Sequence, residues 1–385
     1  MIRVIEINEI PLLSHIRENW ERLWQETPSS GFFQTLPWLE TYWKHFSEGK
    51  RLRVLLIVDG ETMIGIVPLV VTSEKTKLGT VRVLTYPLAD WGNQYGPLGR
   101  NQGRVLEIAA THIRNTPRDW ELFDLRWIGP HDQAEAITQA ALERAGLPNH
   151  SGTWSETTTL QMEGTWEDYL RSRSPKMRAE LRRILRKVPV DDALRFVRYR
   201  PAGDVRPSEV SESDPRWKLF EDAVQIASQS WQHDSTTGTT LCHEDVRPFL
   251  AEVHAAAARL GMLDLCLLYH QGQPAAFCYN YHDTRGNLFG LRRGNTQEAR
   301  RRGLGNTLMT LMLHDSFQRQ DKSLDLGLGA LQSKRRWMTD ITRIGRCTHY
   351  PAHNPRVQLL RLKHWWNSHH GPQSSKAEIT KVTTD

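Results

Sequence analysis

The sequence predicts an α+β fold built from two tandem copies of one unit, each with a mixed, mostly antiparallel sheet flanked by helices. The length of 385 residues exceeds that of a typical single domain. The same order of predicted elements occurs in both halves, and residues 56–60 and 122–125 correspond to residues 268–272 and 323–326. Two copies of one fold therefore explain both the length and the repetition.

The amino-terminal half alternates between the apolar periodicities of strands and of helices. These patterns predict strands at residues 4–7, 52–58, 62–71, 81–84 and 121–127, and helices at 14–25, 37–45, 104–113 and 133–145. Pro37 suits the first turn of its helix, where no N–H donor is needed, and Gly146 ends the last of these helices.

The carboxy-terminal half repeats this order. The patterns predict strands at residues 194–199, 263–269, 274–282, 287–292 and 323–328, and helices at 215–230, 246–260, 304–320, 333–339 and 357–369. A polar tail from residue 371 is expected to be disordered. We therefore expect an amino-terminal domain at 1–160, a basic helical connector at 161–190, a carboxy-terminal domain at 191–355, and a terminal helix with its tail at 356–385.

A glycine-containing turn precedes the long helix of the second half. Gly303 and Gly305 stand before apolar residues at helical spacing. Free N–H groups in the first helical turn favour an anion there, and glycine lets a diphosphate approach the main chain. Arg300, Arg301 and Arg302 add positive charge. With the surrounding strands, this pattern favours phosphate binding over an ordinary helix entry.

These residues carry a resemblance to a known superfamily. Arg300, Gly303 and Gly305 fit the Arg/Gln-x-x-Gly-x-Gly/Ala signature with which Gcn5-related N-acetyltransferases (GNAT) bind the acyl-CoA pyrophosphate. More narrowly, roughly residues 30 to 340 resemble the CelD-like acetyltransferases of bacterial polysaccharide and envelope biosynthesis, which are related to the FemABX transferases. The motifs behind this narrower resemblance are residues 33–34, 37–39, 64–69 and 325–327, with Lys334 and Trp337.

The resemblance implies a tandem duplicated GNAT (acyl-CoA N-acyltransferase) fold. Such an enzyme would move an acetyl or longer acyl group from CoA to an amine acceptor, an amino sugar or an envelope or polysaccharide precursor. Acetyl-CoA or another acyl-CoA would be the co-substrate, and no metal is expected. The residues implied in CoA binding are Arg292, Arg300, Arg301, Arg302, Gly303, Leu304, Gly305, Asn306 and Lys334. The alternatives are a FemABX-like, aminoacyl-tRNA-dependent peptidyltransferase and a non-catalytic protein that binds a glycan or a partner.

Acid–base candidates lie near the predicted central strands. The resemblance implies direct attack by the acceptor amine, with N–H groups of the strand at 287–292 polarising the thioester carbonyl. Asp325 is the first candidate for the base, and Tyr279 and Tyr281, which share one strand face, are further candidates. The structural alternatives are a turn-capping role for Asp325 and core positions for both tyrosines. Residues 327–337 contain no tyrosine, although many GNAT members place the general acid there.

Candidate acceptor-binding residues occur in both halves. Trp231 and Asp234 lie in a predicted loop that borders the acceptor in the resemblance, and an exposed turn is the alternative. In the first half, the glycines of residues 96–104 fail the diphosphate spacing, so this copy is expected to be a degenerate partner. Trp91 and Tyr95 precede them in a polar, aromatic segment that suits sugar stacking, although an ordinary surface loop fits equally well.

The net charge of +6 suits an anionic ligand, but a solvated exterior explains it as well. Arg178, Arg182 and Arg186 run along one face of the helix predicted at residues 175–187. A solvated face is the ordinary interpretation of this stripe. The alternatives are contacts with the CoA 3′-phosphate, an anionic envelope precursor or RNA. Because no aromatic residues interleave with the arginines, nucleic acid is an unlikely partner.

The composition predicts a cytoplasmic protein. Four cysteines lie far apart, which indicates neither a disulfide framework nor a metal site. No apolar run approaches the roughly 20 residues needed to cross a bilayer, so membrane contact would be peripheral at most. His364, His369 and His370 are expected to be exposed rather than metal ligands. The pair Trp365 and Trp366 is expected to pack against the body of the protein, with a membrane surface as the alternative.

Overall fold

The computed structural model describes residues 1–88, 91–92, 94–130, 133–188, 191–201, 215–235, 240–328 and 331–370. The predicted disordered tail from residue 371 lies outside these residues. The first copy contains β1 (Ile2–Ile7), α1 (Arg17–Glu26), α2 (Leu36–Phe46), β2 (Arg51–Asp59), β3 (Thr62–Thr76), β4 (Gly79–Thr85), α3 (Gln102–Asn115), β5 (Leu122–Ile128), α4 (Ala134–Arg144) and β6 (His150–Gln161).

The remaining elements begin with two helices, α5 (Trp166–Arg171) and α6 (Pro175–Lys187). The second copy then contains β7 (Leu194–Tyr199), α7 (Trp217–Ser228), α8 (Arg247–Arg259), β8 (Leu263–His270), β9 (Gln273–His282), β10 (Asn287–Asn295), α9 (Gln297–Arg301), α10 (Leu304–Gln318), β11 (Ser323–Leu328), α11 (Leu331–Lys334), β12 (Asp340–His349) and α12 (Pro355–His370). Short 3-10 helices occupy Ile10–Ile16, Phe32–Gln34 and Glu244–Val246. Apart from the additional short helix α9 and the terminal helix α12, both copies share one order: a strand, two helices, three strands, a helix, a strand, a helix and a strand.

The chain forms two compact units, one of Met1–Glu156 with the segment that begins at Thr342, and one of Thr157–Ile341. The sheet of the first unit has the order β1-β2-β3-β4-β5-β12, and that of the second has the order β6-β11-β10-β9-β8-β7. In each sheet one neighbouring pair is parallel, β4 with β5 or β10 with β11, and the other described pairs are antiparallel. The predicted α+β class, with mixed and mostly antiparallel sheets, is confirmed.

The bounds of these two units differ from the domain boundaries expected at residues 161, 191 and 356. Each unit takes its last strand from the other copy, because β6 pairs with β11 and β12 pairs with β5. The helix α6, expected in a separate connector, packs Met177 and Leu181 into the core of the second unit, beside Leu304 and Leu308. In the first unit α12 packs against β4 and β5.

Two details of the second copy differ from the sequence-based elements. Arg300 and Arg301 lie in the short helix α9 rather than in a turn, because Thr296 caps that helix by accepting a hydrogen bond from the Ala299 N–H at 3.2 Å. The helix predicted at 333–339 is the four-residue α11, and the chain turns into β12 at Asp340. The strands β6 and β12 were not predicted.

Candidate active site

The parallel strands β10 and β11 stay together only at their beginnings. Residues 287–289 pair with residues 323–325, whereas β10 continues to Asn295 and β11 to Leu328. A bulge in β10 between Gly290 and Arg292 marks the point at which the strands diverge. Beyond this bulge, the residues of β10 no longer pair with β11. This divergence is a candidate place for an extended ligand.

Two glycines form the apex of this divergence. A Cβ atom on Gly290 would lie 2.7 Å from the Asp325 carbonyl oxygen, and one on Gly327 would lie 2.9 Å from the Gly290 carbonyl oxygen. Gly327 also has a φ of +79°, a conformation that favours glycine. Sequence reasoning missed both residues as parts of the site, although a glycine inside a strand pattern is a known signal of a bulge or of close backbone approach.

Asp325 and Lys334 hold the turn that follows the apex. Asp325 is buried, and its Oδ1 accepts hydrogen bonds from the Thr157 hydroxyl group and, at 2.7 Å, from the Gly327 N–H. The Lys334 Nζ donates to the carbonyl oxygens of Gly327 at 2.5 Å and of Leu328 at 2.8 Å. Burial lowers the pKa of Lys334 to about 8, and the nearby Asp325 opposes this shift. These contacts fit the turn-capping alternative for Asp325, whose role as a base stays a prediction.

The predicted phosphate-binding turn leads into α10. Gly303 is the residue before the helix and has a φ of +71°, and a Cβ atom added there would have no neighbour within 4 Å. The N–H groups of Leu304 and Gly305 occupy the first turn, where no intrahelical carbonyl group can accept from them. A Cβ atom on Gly305 would lie 2.8 Å from the Asn295 Nδ2 at the end of β10. An anion at this turn would meet main-chain donors without an intervening side chain.

The cationic and polar side chains around the turn are differently placed. Arg300 and Arg301 are exposed in the last turn of α9, and Arg302 is paired with Glu298 at 3.1 Å. Asn306 is half-buried, and its N–H donates to the Gly303 carbonyl oxygen at 3.1 Å. Arg292 lies in β10, beyond the apex, where its guanidinium donates to the Leu291 carbonyl oxygen at 2.7 Å. The structure thus brings the predicted CoA-binding residues to β10 and its link to α10, and Lys334 to the apex.

Tyr279 and Tyr281 are buried on β9, under the helices α7 and α8. The Tyr279 hydroxyl group lies 2.9 Å from the His254 Nδ1, and the His254 Nε2 lies 2.7 Å from the Pro215 carbonyl oxygen. Since a carbonyl oxygen only accepts, Nε2 carries the proton and Nδ1 accepts from Tyr279. Tyr281 is hydrogen-bonded to Tyr279, and burial raises the pKa of both phenols. These contacts fit the core alternative, and the catalytic roles of the two tyrosines stay predictions.

Trp231 and Asp234 are exposed, in a loop that a neighbouring residue fastens to β10. The buried Gln232 accepts from the Leu241 N–H at 3.3 Å and donates to the Arg293 carbonyl oxygen at 3.4 Å. A polar cavity of about 310 Å³ adjoins this loop. Both predicted acceptor residues therefore lie near the far end of β10, and their role in binding stays a prediction.

The corresponding gap of the first unit is filled by its own chain. The parallel strands β4 and β5 pair only at residues 83–84 and 122–123. The following segment takes up the freed edges, since the Tyr95 N–H donates to the Trp127 carbonyl oxygen at 2.8 Å and Leu98 bridges Ile66 of β3. Trp91 and Tyr95 are consequently buried, and their role in acceptor binding stays a prediction. Residues 90 and 93 of the same segment lie outside the described residues.

Among the described residues, no three or more histidine, cysteine, aspartate or glutamate side chains are placed so that they could hold a metal ion. In the same part of the chain, every helix is too short or too polar to cross a membrane. All four cysteines are free thiols.

Known proteins share this architecture. Residues 175–335 match the family model described as an Acetyltransferase (GNAT) domain. A solved structure of FemX is similar to this chain over 93% of this chain and 99% of the FemX chain, with a TM-score of 0.58 and 10% sequence identity. The carboxy-terminal domain of a putative lysylphosphatidylglycerol synthetase from Agrobacterium fabrum is similar over 94% of this chain and 98% of the synthetase chain, with a TM-score of 0.51 and 10% sequence identity.

No curated protein sequence matches the chain. The structural likenesses lie far below the identity that would transfer a substrate, so they show the fold alone. The family match covers the diverging strands and the turn at Gly303. The protein has a GNAT fold, and its residues 175–335 match the family of GNAT acetyltransferase domains.

Proposed function

We propose that the protein is an acyl-CoA-dependent N-acyltransferase that moves an acetyl or longer acyl group to an amine acceptor. The observation that carries this proposal is the divergence of β10 and β11 beside a helix start with an open Gly303. The gap suits the extended pantetheine arm, and the main-chain N–H groups of Leu304 and Gly305 suit the diphosphate. The exposed Arg300 and Arg301 add positive charge beside the diphosphate.

The acceptor amine would attack the thioester carbonyl directly. The main chain of β10 beyond the apex would polarise that carbonyl, in the way of an oxyanion hole. Asp325 is the proposed base, acting directly or through water. Replacing Asp325 with Asn keeps an oxygen that can accept from Thr157 and Gly327. A base role predicts that this variant loses turnover and the acidic limb of its pH profile, whereas a positioning role predicts turnover near the wild-type value.

The CelD-like resemblance suggests an amino sugar or an envelope or polysaccharide precursor as the acceptor. The loop of Trp231 and Asp234 at the far end of β10 is its proposed binding element. A cytoplasmic location fits this function, since four free cysteines suit a reducing compartment.

A pair of glycine variants tests the donor site. Gly303 and Gly272 have φ values of +71° and +77°, and a Cβ atom at either would have no neighbour within 4 Å. Replacing either glycine with Leu therefore introduces a similar backbone strain, and the new Cβ atom has no close neighbour at either position. Only Gly303 borders the proposed diphosphate. Gly303→Leu should abolish acetyl-CoA binding in calorimetry, and Gly272→Leu should retain it. Undiminished binding by Gly303→Leu would overturn the assignment.

Turnover separates an enzyme from a non-catalytic relative. Each acetyl transfer releases one CoA thiol, which a colorimetric thiol reagent detects. We expect acetyl-CoA with a panel of amino sugars to release thiol above the rate without acceptor. Silence across acyl donors of several chain lengths would favour the alternative of a protein that only binds a glycan or a partner.

The FemABX-like alternative requires an aminoacyl-tRNA donor. The basic stripe of α6 is the feature that favours it, but two of its side chains already have intramolecular contacts. Arg182 is paired with Glu167 at 2.7 Å, and Arg178 donates to the Arg171 carbonyl oxygen at 3.3 Å. We therefore expect tRNA binding no tighter than non-specific levels, roughly 10⁻⁴ to 10⁻⁶ M at physiological salt. Tight, saturable tRNA binding would make peptidyl transfer the leading function.

A further inference from the structure

The helix α12 exposes an apolar stripe along its outer side. Leu359, Leu362 and Trp366 stand at positions i, i+3 and i+7 and are 54%, 61% and 59% exposed. Residues at this spacing share one helix face. On the opposite side Val357 and Leu360 are buried against β4 and β5, which fixes the orientation of the helix on its unit. Trp366 is thus exposed, whereas the side chain of Trp365, the other member of the predicted pair, lies outside the described ones.

A second apolar side chain adjoins the start of this helix. Leu78 is 40% exposed at the tip of the hairpin between β3 and β4, where Lys75 and Lys77 are also exposed. The Arg356 guanidinium of α12 donates to the Thr80 carbonyl oxygen at 3.0 Å, so the hairpin and the helix start are in contact. The hairpin tip and the outer side of α12 are named here the apolar-basic surface.

The charged side chains of this surface are basic, and one of them, Arg356, lies near the Glu121 carboxylate. Residues 355–370 contain Arg356, Arg361 and Lys363 but no aspartate or glutamate, and the hairpin tip adds Lys75 and Lys77. Exposed leucine and tryptophan between basic side chains are the composition of helices that lie in the interface of an anionic bilayer. The 16 residues of α12 are fewer than the roughly 20 needed to span a bilayer.

We propose that the apolar-basic surface docks the protein onto anionic lipid bilayers, with α12 lying in the membrane plane. The leucines and Trp366 enter the boundary between headgroups and acyl chains, and the basic side chains contact lipid phosphates. A protein partner with an apolar groove would need acidic residues to match five cations, and a second copy of this chain would bring the same positive charge to the contact. The positive charge therefore favours lipid over a second copy. This proposal does not depend on the proposed acyl transfer.

Vesicle co-sedimentation of the full chain tests the proposal. We expect binding to vesicles of phosphatidylcholine mixed with phosphatidylglycerol, little binding to phosphatidylcholine alone, and a decline as salt rises. The double variant Leu359→Ser/Leu362→Ser should lower the partition coefficient at least tenfold. The control Ile2→Ser/Ile5→Ser removes two exposed apolar side chains from β1 and should leave partitioning unchanged. Circular dichroism spectra verify that both variants are folded.

Several outcomes would overturn the proposal. One is equal partitioning of the double variant and the wild-type protein, and another is a failure of wild type to bind the anionic vesicles. A concentration-dependent dimer that the double variant abolishes would instead assign the surface to a second copy.

Discussion

Substituting Gly327 with alanine should disrupt the apex at which β10 and β11 diverge. At its φ of +79°, any residue with a Cβ atom costs roughly 1–2 kcal/mol. The new Cβ would also lie 2.9 Å from the Gly290 carbonyl oxygen, a main-chain atom that moves only with its strand. Such overpacking costs typically about 1–3 kcal/mol more. The total expected loss of unfolding free energy is therefore about 2–5 kcal/mol.

Gly272→Ala is the matched control for this substitution. Gly272 lies in the hairpin between β8 and β9 of the same unit, with a φ of +77° and no atom within 4 Å of its Cβ position. Gly272→Ala should lose only the part of the unfolding free energy that backbone strain accounts for, roughly 1–2 kcal/mol. Urea denaturation measures both losses, and calorimetry with acetyl-CoA measures binding. Equal losses of stability, or wild-type acetyl-CoA affinity in Gly327→Ala, would refute the view that the two glycines set the gap.

Three further predictions concern titration, thiols and the basic helix. The pKa of Lys334 falls from 10.5 in the unfolded chain to about 8 in the folded one, so the unfolded state binds more protons between these pH values and stability should rise with pH there. In denaturation series from pH 7 to 10, Lys334→Met should lose up to about 3 kcal/mol of this rise. An unchanged slope of stability against pH would contradict the burial of a charged amine. The thiol of the half-buried Cys242 should react rapidly with a disulfide reagent, because burial raises the pKa of the other three cysteines. A fast reaction phase that persists in Cys242→Ser would contradict this prediction. Replacing all three arginines of the α6 stripe with alanine should leave acetyl-CoA affinity within a factor of about three, because main-chain N–H groups supply the proposed diphosphate contacts. A tenfold loss of affinity would place the stripe at the CoA 3′-phosphate. The residues in this last variant are Arg178, Arg182 and Arg186.

The elements with regular apolar periodicity could be predicted from the sequence, and those without it could not. β8 and β9 are apolar along nearly their whole length, so the sequence predicts both strands and the hairpin between them. β6 and β12 were missed because serine, threonine and arginine dominate them and much of their surface is exposed. Their exchange between the copies depends on pairings such as Leu324 with Leu160, more than 160 residues apart, and local sequence carries no signal of such pairing.

Part of the candidate site followed from chemistry that is local in sequence. Gly303 was predicted at a helix start because the glycine spacing and the apolar repeat after it lie within a few residues. The turn held by Asp325 and Lys334 was not predicted as a unit, since it depends on a hydrogen bond from Thr157 of β6. Tyr95 was expected on the surface because its neighbours are polar, whereas its main chain completes the sheet of the first unit.

The stoichiometry of acetyl-CoA binding tests the central claim most directly. In the second unit β10 and β11 diverge beside the Gly303 turn, whereas in the first unit the segment around Tyr95 occupies the corresponding place. Isothermal titration calorimetry of the full chain should therefore give one bound acetyl-CoA per chain, and none in Gly303→Leu. Two bound molecules per chain would contradict the filled gap of the first unit. No binding by the wild-type protein would contradict acyl-CoA as the donor.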